Sequence, residues 1–407
     1  MDFAFPNELH VTWSVMIVLY PYITGLVAGA FIVSSLYHVF GRQDLKPVAR
    51  FSLASAFVFL LFAPVPLQIH LGHPERSMNI LITPNFSSAM AGFGYIYSTY
   101  LLLVILEIWF VMRSDFIARA KGAGPAAFIC RTVLLFNTRE DEASRRGDHK
   151  IAKFLAGLGI PLACLLHGYV GFLFGSLKAN PWWSTALMFV IFIFSAIVSG
   201  ISVLIFHYFI VSKVNGWKVD GPCVRAMGQY LWGFMIIAVA LELLEILSIA
   251  YKQTEEWEIL NVLITKKLMI TYVVLQFAVF SLIPFLLLAL TALFRLSQRL
   301  AGFLIWLSAT MLLIQVLLMR WNVVIGGQLL SKSMRGFTSY LPGLWDREGL
   351  VMAATIFTLP FVILYLFHRV VPLFPDAHKL KGGEPPPSAS AAIGPPGEAP
   401  PSTEATA

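Results

Sequence analysis

Long, wholly apolar runs separated by short polar breaks dominate the chain. Stretches such as LLFAPVPL (60–67) and FSLIPFLLLALTALF (280–294) are apolar on every side. They show neither the alternation of a half-buried strand nor the single stripe of a surface helix. A bilayer asks for about 20 apolar residues per helical span. Nine segments meet that length, near 11–40, 48–72, 90–112, 152–177, 182–211, 226–251, 268–294, 300–323 and 350–372. Membrane β-barrels alternate polar and apolar residues over about ten positions, a pattern absent here. The predicted fold is all-α: a polytopic integral membrane helical bundle of about nine transmembrane helices.

Two of these spans echo each other. TWSVMIVLYPYITGLVAGAFIVSSLYHVF and TALMFVIFIFSAIVSGISVLIFHYF each carry a stripe of small residues, Gly25, Ala28 and Gly29 in one and Ala196, Ser199 and Gly200 in the other, followed by a histidine. Small stripes let helices approach closely. The match predicts two parallel four-helix units, 11–177 and 178–323, preceded by an outer segment 1–10. An outer loop 324–349, a ninth span 350–372 and a tail 373–407 follow. The outer loop sets Tyr340 and Trp345 in polar surroundings, which suits packing on the outer face or anchoring at the interface. The tail, rich in Pro, Ala, Ser and Gly, lacks an apolar face to offset the entropy of ordering and is expected to be disordered.

Charge orients the bundle. With the amino terminus outside, the loops at 41–50, 113–153, 213–225, 295–299 and 369–381 hold 20 of the 29 Lys and Arg residues. The positive-inside rule then places the amino terminus outside and the carboxyl terminus in the cytoplasm. The net charge of +7 is explained by these loops and needs no nucleic-acid partner. The first ten residues hold two acids and no Lys or Arg, unlike a secretory signal, so the first helix is expected to be retained. Cys130, Cys164 and Cys223 form no CxxC and have no fourth partner, so no tetrathiolate cluster, disulfide framework or metal site is expected in this chain.

Ionisable groups inside spans are costly and are functional candidates. His10, His70, His73 and Arg320 are placed near the outer surface. At 1.5 Å per residue, Tyr169 lies about 12 Å below the outer end of its helix, and Glu245 and Glu242 about 9 and 14 Å below theirs. His167 joins them in the outer half. The i, i+3 glutamates share a helix face, where two carboxylates in a low dielectric hold at least one proton at neutral pH. Donors at the edge of an apolar pocket suit a quinone, whose two carbonyl oxygens need hydrogen bonds and whose reduction takes up two protons that a histidine can pass. His207, Glu107 and His38 lie near the inner end of a possible proton path, with Ser195, Ser199 and Ser202 between. Two other readings stay open. The acids could form the site of a secondary transporter or proton channel, or histidine pairs (His38, His207 and His368, or His70 and His167) could clamp a haem b.

Four segments carry a family resemblance: NELHVTW (7–13), LGHPERSMNILITPNFSSAMAGFG (71–94), HGYVGFLFG (167–175) and RWNVVIGGQ (320–328). In this order they resemble the NrfD/polysulfide reductase membrane subunits, over about residues 7–372. The length and ninth span resemble the longer hydrogenase-associated branch. The resemblance implies a haem-free, quinone-reactive subunit of a respiratory oxidoreductase in a bacterial inner membrane, inactive alone. It also implies menaquinone as the quinone, no iron–sulfur cluster in this chain, and a four-cluster ferredoxin-like partner on the outer side. A molybdopterin, hydrogenase or multihaem subunit would complete the complex. Asn7 and His10 match the family's Asn-x-x-His donor pair and Tyr169 its quinone-pocket tyrosine; His70 and Arg320 complete the expected quinone-binding set. His167, Glu242, Glu245, His207 and Glu107 are the expected proton relay. Where family members often carry Asp-Leu-Gly-Arg-Pro, this chain has His70-Leu71-Gly72-His73-Pro74, which changes the local charge.

Overall fold

The computed structural model describes residues 11–138, 140–253, 255–331 and 336–374. Asn7, His10 and the tail beyond Phe374 lie outside the described residues. The helices in chain order are α1 (Val15–His38), α2 (Lys46–Phe62), α3 (Val65–His70), α4 (Asn79–Ile82), α5 (Ala89–Ala120), α6 (Pro125–Val133), α7 (Glu142–Gly175), α8 (Met188–Asn215), α9 (Gly221–Lys252), α10 (Glu255–Val262), α11 (Ile283–Leu293), α12 (Gln298–Gln328) and α13 (Leu350–Val370). A π-helical stretch, Met269–Leu282, runs directly into α11. Among the described residues, eight helical segments are long and apolar enough to cross a membrane. The expected third span is α5, a 32-residue helix that packs along α7.

Local chemistry sets the helix ends. Ser14, Ser88, Asp141, Asp220 and Ser297 each accept a backbone N–H of the first turn, on α1, α5, α7, α9 and α12 respectively; such a side-chain acceptor satisfies a donor that the helix itself cannot. The second span breaks between Phe62 and Val65, where Pro64 and Pro66 remove two donors.

Helices α1, α2, α5 and α7 pack together, as do α8, α9, α12 and the Met269–Leu293 segment, while α13 lies against α2 and α1. The two groups meet where α1 crosses α8. The two small-residue stripes face each other there: a Cβ on Gly29 would come within 2.7 Å of Gly200 Cα, and one on Gly25 would stand 3.3 Å from Ser199 Oγ. The helices run parallel at this contact, and it is the missing side chains that let their backbones touch.

Three expectations of extent are corrected. The stretch 113–153, read as a loop, is largely helical: α5 and α7 continue past the apolar runs and are joined by Arg113 to Asp148 at 3.0 Å, while Arg50 of α2 pairs with Asp115 of α5. Charged sequence does not stop a helix once it has left the bilayer. The connection expected from 324 begins later, because α12 continues to Gln328. It then folds over the start of α1, where Tyr340 Oη accepts the Val15 N–H at 3.0 Å and its ring lies against Trp321, while Trp345 stays 80% exposed. The expected tail begins with two buried residues, Leu373 and Phe374, and Phe374 stacks on Phe51 at 4.9 Å. Aromatic burial holds the chain two residues beyond the expected boundary.

Candidate functional site: a buried arginine, histidine and glutamate network

Arg320 is wholly buried on α12, although its place in the sequence put it near the outer surface. From α7, His167 presents Nε2 at 2.9 Å from Arg320 Nη2, and the same arginine nitrogen donates to Ser195 Oγ of α8 at 2.7 Å. A guanidinium can only donate, so His167 Nε2 accepts and the imidazole is neutral, with its proton on Nδ1. That Nδ1 has no protein partner. The guanidinium carbon sits 3.8 Å above the Phe192 ring, a cation–π contact that partly replaces lost hydration. Arg320 makes no ion pair among the described residues, and its Nη1 donates to Met319 Sδ at 3.1 Å.

The chain of polar groups continues along α12 and into α9. Asn322 Nδ2 donates to Gln276 Oε1 at 2.8 Å, and Gln276 Nε2 donates to Glu242 Oε2 at 2.7 Å. Gln276 therefore spends both ends of its amide as a bridge, from a π-helical stretch where Ser281 Oγ donates to its carbonyl five residues back. Irregular turns of this kind recur at functional sites. Glu242 Oε1 and Glu245 Oε1 have no protein partner. Both glutamates line a cavity of about 30 Å³ walled by Trp182, Met188, Tyr272 and Met319, room for a water or two between polar groups. Trp182 Nε1 and Trp183 Nε1 donate to the carbonyls of Asn322 and Val323 at 3.0 and 2.6 Å. The connection before α8 is thereby bound to α12 beside the arginine.

Other expected site residues fall elsewhere. Tyr169 lies on a different face of α7 from His167: its hydroxyl donates to Ala89 O at 2.9 Å and its ring fills the space beside Gly92. Nearby, Tyr20 packs edge-on against Phe93 and keeps a buried hydroxyl without a partner. His70 ends α3, with Nδ1 2.8 Å from Glu348, an acid that also accepts from Ser14. Glu107 is wholly buried and neither carboxyl oxygen has a partner. His207 is held between the rings of Phe51 and Phe361, at 5.1 and 5.3 Å. The structure thus unites His167 with Arg320 and Glu242 with Glu245. It leaves Tyr169, His70, Glu107 and His207 in four separate places.

Sequence reasoning missed Gln276, Asn322 and Glu348. The first two sit in apolar runs, and the depth rule that selected charged residues would have found them had it been extended to amides.

A profile described as polysulphide reductase, NrfD matches residues 6–331. The chain belongs to the NrfD family. Similar to it are a selenate reductase subunit of Mesobacillus selenatarsenatis, 30% identical over 387 residues covering 91% of this chain and 87% of that protein, and two more distant proteins. These are the Hdr-like menaquinol oxidoreductase integral membrane subunit of Archaeoglobus fulgidus, 24% identical over 56% of this chain and 49% of its own length, and protein NrfD of Escherichia coli, 24% identical over 56% and 70%. The NrfD match takes in α1 to α12 with the whole buried network, and leaves α13 outside it.

Proposed function

We propose that this NrfD-family chain is the quinone-reactive membrane subunit of a bacterial respiratory oxidoreductase. It would exchange electrons between menaquinone, at the outer face of the inner membrane, and an iron–sulfur partner subunit. Family membership carries the reading, since a relative is named a menaquinol oxidoreductase subunit. The residues suit a quinone ring. At the outer ends of α1, α5 and α7, Phe93 and Tyr97 offer stacked aromatic faces and the Tyr20 hydroxyl is buried without a partner. Tyr169 closes the same region, and Asn7 and His10 precede it in the chain. The quinone supplies the two-electron chemistry when bound. The chain's share is to donate hydrogen bonds to the carbonyl oxygens and to hold protons near them.

Arg320 and His70 have different parts in this reading from those first expected. Arg320 is committed to His167 and Ser195, so it sets the field and orientation of the buried network. His70, paired with Glu348 on the outer loop, connects the site to the outer aqueous side. The proton relay would run from His167 to Glu242 and Glu245, with waters in the adjoining cavity as the mobile links. Glu107 of α5 and His207 of α8 would continue it toward the cytoplasmic side.

The test is to purify the chain with the partners that come with it, extract quinone, and follow quinol-linked reduction of partner iron–sulfur clusters. Copurified quinone, with cluster reduction weakened by His10→Ala, supports the reading. A preparation without quinone that moves an ion or solute across vesicles would establish the transporter alternative instead.

A further inference from the structure

Far from the polar network, at the end of the bundle that carries most of the basic residues, lies a second kind of cavity. It has about 280 Å³ and is walled by Phe57 of α2, Ile108 and Phe116 of α5, Ile129 and Cys130 of α6, and Phe367 of α13. No polar group lines it, so a ligand that needs hydrogen bonds gains nothing there. Its volume is just below the roughly 300–1,000 Å³ of ordinary small-molecule pockets, which suits a slender hydrocarbon chain better than a ring with substituents.

The wall formed by α6 is itself built for a membrane surface. This nine-residue helix exposes Phe128 and Ile129 on one side, and the turn after it exposes Leu135 and Phe136. Its carboxyl end is tied to α5 by Trp109 Nε1 donating to Val133 O at 2.9 Å, and Arg131 Nε donates to Ala120 O at 2.7 Å. A short amphipathic helix held across the ends of spanning helices lies in the interfacial plane, with its apolar side among acyl chains.

Charge stands at the rim. Arg119 is exposed, makes no ion pair among the described residues, and directly precedes Ala120, whose carbonyl holds Arg131 of α6. Arg369 is exposed beside the lining residues Val370 and Val371, with its guanidinium directed to Tyr365 Oη at 2.6 Å. The nearby Asp115 is already neutralised by Arg50. We propose that the groove between α2, α5, α6 and α13 holds one acyl chain of an anionic phospholipid from the leaflet at this basic end, its phosphate set against Arg119 and Arg369. The cavity supplies the apolar fit and the two arginines select the head group.

The experiment uses the full chain, purified in detergent, stripped of lipid and titrated with phosphatidylglycerol or with phosphatidylcholine of identical chains, bound lipid being counted by native mass spectrometry. One basic residue at a membrane surface is worth about fivefold in binding, so phosphatidylglycerol should bind at least fivefold more tightly. Arg119→Gln should remove about that much of the preference, lowering phosphatidylglycerol binding more than phosphatidylcholine binding. Ile129→Trp and Cys130→Trp fill the groove and should lower binding of both lipids. Ile129 is half exposed, so its variant should unfold at the wild-type temperature even if the Cys130 variant does not. Equal affinity of the wild type for the two lipids would overturn the proposal. So would groove-filling variants that keep phosphatidylglycerol and instead lose copurified quinone, since the groove would then hold an isoprenoid tail.

Discussion

His167 and Arg320, 153 positions apart, meet at 2.9 Å in the buried interior, the imidazole accepting from the guanidinium. Burying a cation with no paired carboxylate is expensive, and four groups share the work: the histidine nitrogen, Ser195 Oγ, Met319 Sδ and the face of Phe192. The arrangement fixes which histidine nitrogen carries a proton and points that proton away from the arginine.

The first prediction concerns this pair. His167→Ala and Arg320→Leu should each destabilise the fold, by about 1–3 kcal/mol for each buried group left unpaired. The double variant should fall short of the sum by about 0.5–3 kcal/mol. A double-mutant cycle on unfolding in detergent measures it, and strict additivity would show that the two side chains do not interact.

Quinone recognition can be separated from packing at Tyr169. Tyr169→Phe keeps the ring that fills the space by Gly92 and loses the hydroxyl bound to Ala89 O. Quinone binding in the assembled complex should weaken by about 1–3 kcal/mol, as it should in His10→Ala. Wild-type quinol-linked turnover in both variants would remove these residues from the site.

The paired acids predict a split between binding and proton movement. Glu242→Gln with Glu245→Gln preserves shape and most hydrogen bonding, including the contact with Gln276. Reconstituted vesicles should therefore show normal quinone binding and fewer protons moved per electron. Unchanged proton uptake and release on both sides would leave the glutamates a purely structural role.

The helix crossing offers a packing test with an internal control. Gly29→Ala brings a methyl against the backbone of Gly200 and Ala196, whereas a Cβ on Gly233 meets nothing within 4 Å. Backbone cannot move aside as a side-chain end can, so Gly29→Ala should cost at least the 1–3 kcal/mol typical of overpacking. Gly233→Ala should leave the unfolding temperature near that of the wild type. Equal behaviour of the two variants would contradict the close crossing of α1 and α8.

Orientation is checked by reporter fusions in the turn at 122–124, between α5 and α6, and after Leu380. Both should read cytoplasmic, as the concentration of basic residues in 113–153 requires. An outer signal from the 122–124 fusion would reverse the placement of the quinone site.

Hydropathy determined the class of fold and nearly all of its helices, because apolar length is a local property that each span carries in its own residues. The NELHVTW and RWNVVIGGQ segments likewise disclosed the family without any fold. Partners were another matter. Periodicity put Glu242 and Glu245 on one face and placed Tyr169 and His167 at one depth, yet residues two apart on a helix point in different directions, and only the packing of α5 and α8 against α7 sends Tyr169 to Ala89 and His167 to Arg320. Arg320 sits eight residues from the end of α12, close enough to suggest an interfacial anchor from position alone. Its burial follows from Phe192, Ser195 and His167 converging on it from two other helices, and which helices adjoin is decided by close approaches such as that of Gly29 to Gly200. Depth along a helix can be counted in sequence; the direction of a side chain and the neighbour it meets depend on contacts between helices far apart in the chain, 80 positions for Tyr169 and Ala89 and 153 for His167 and Arg320.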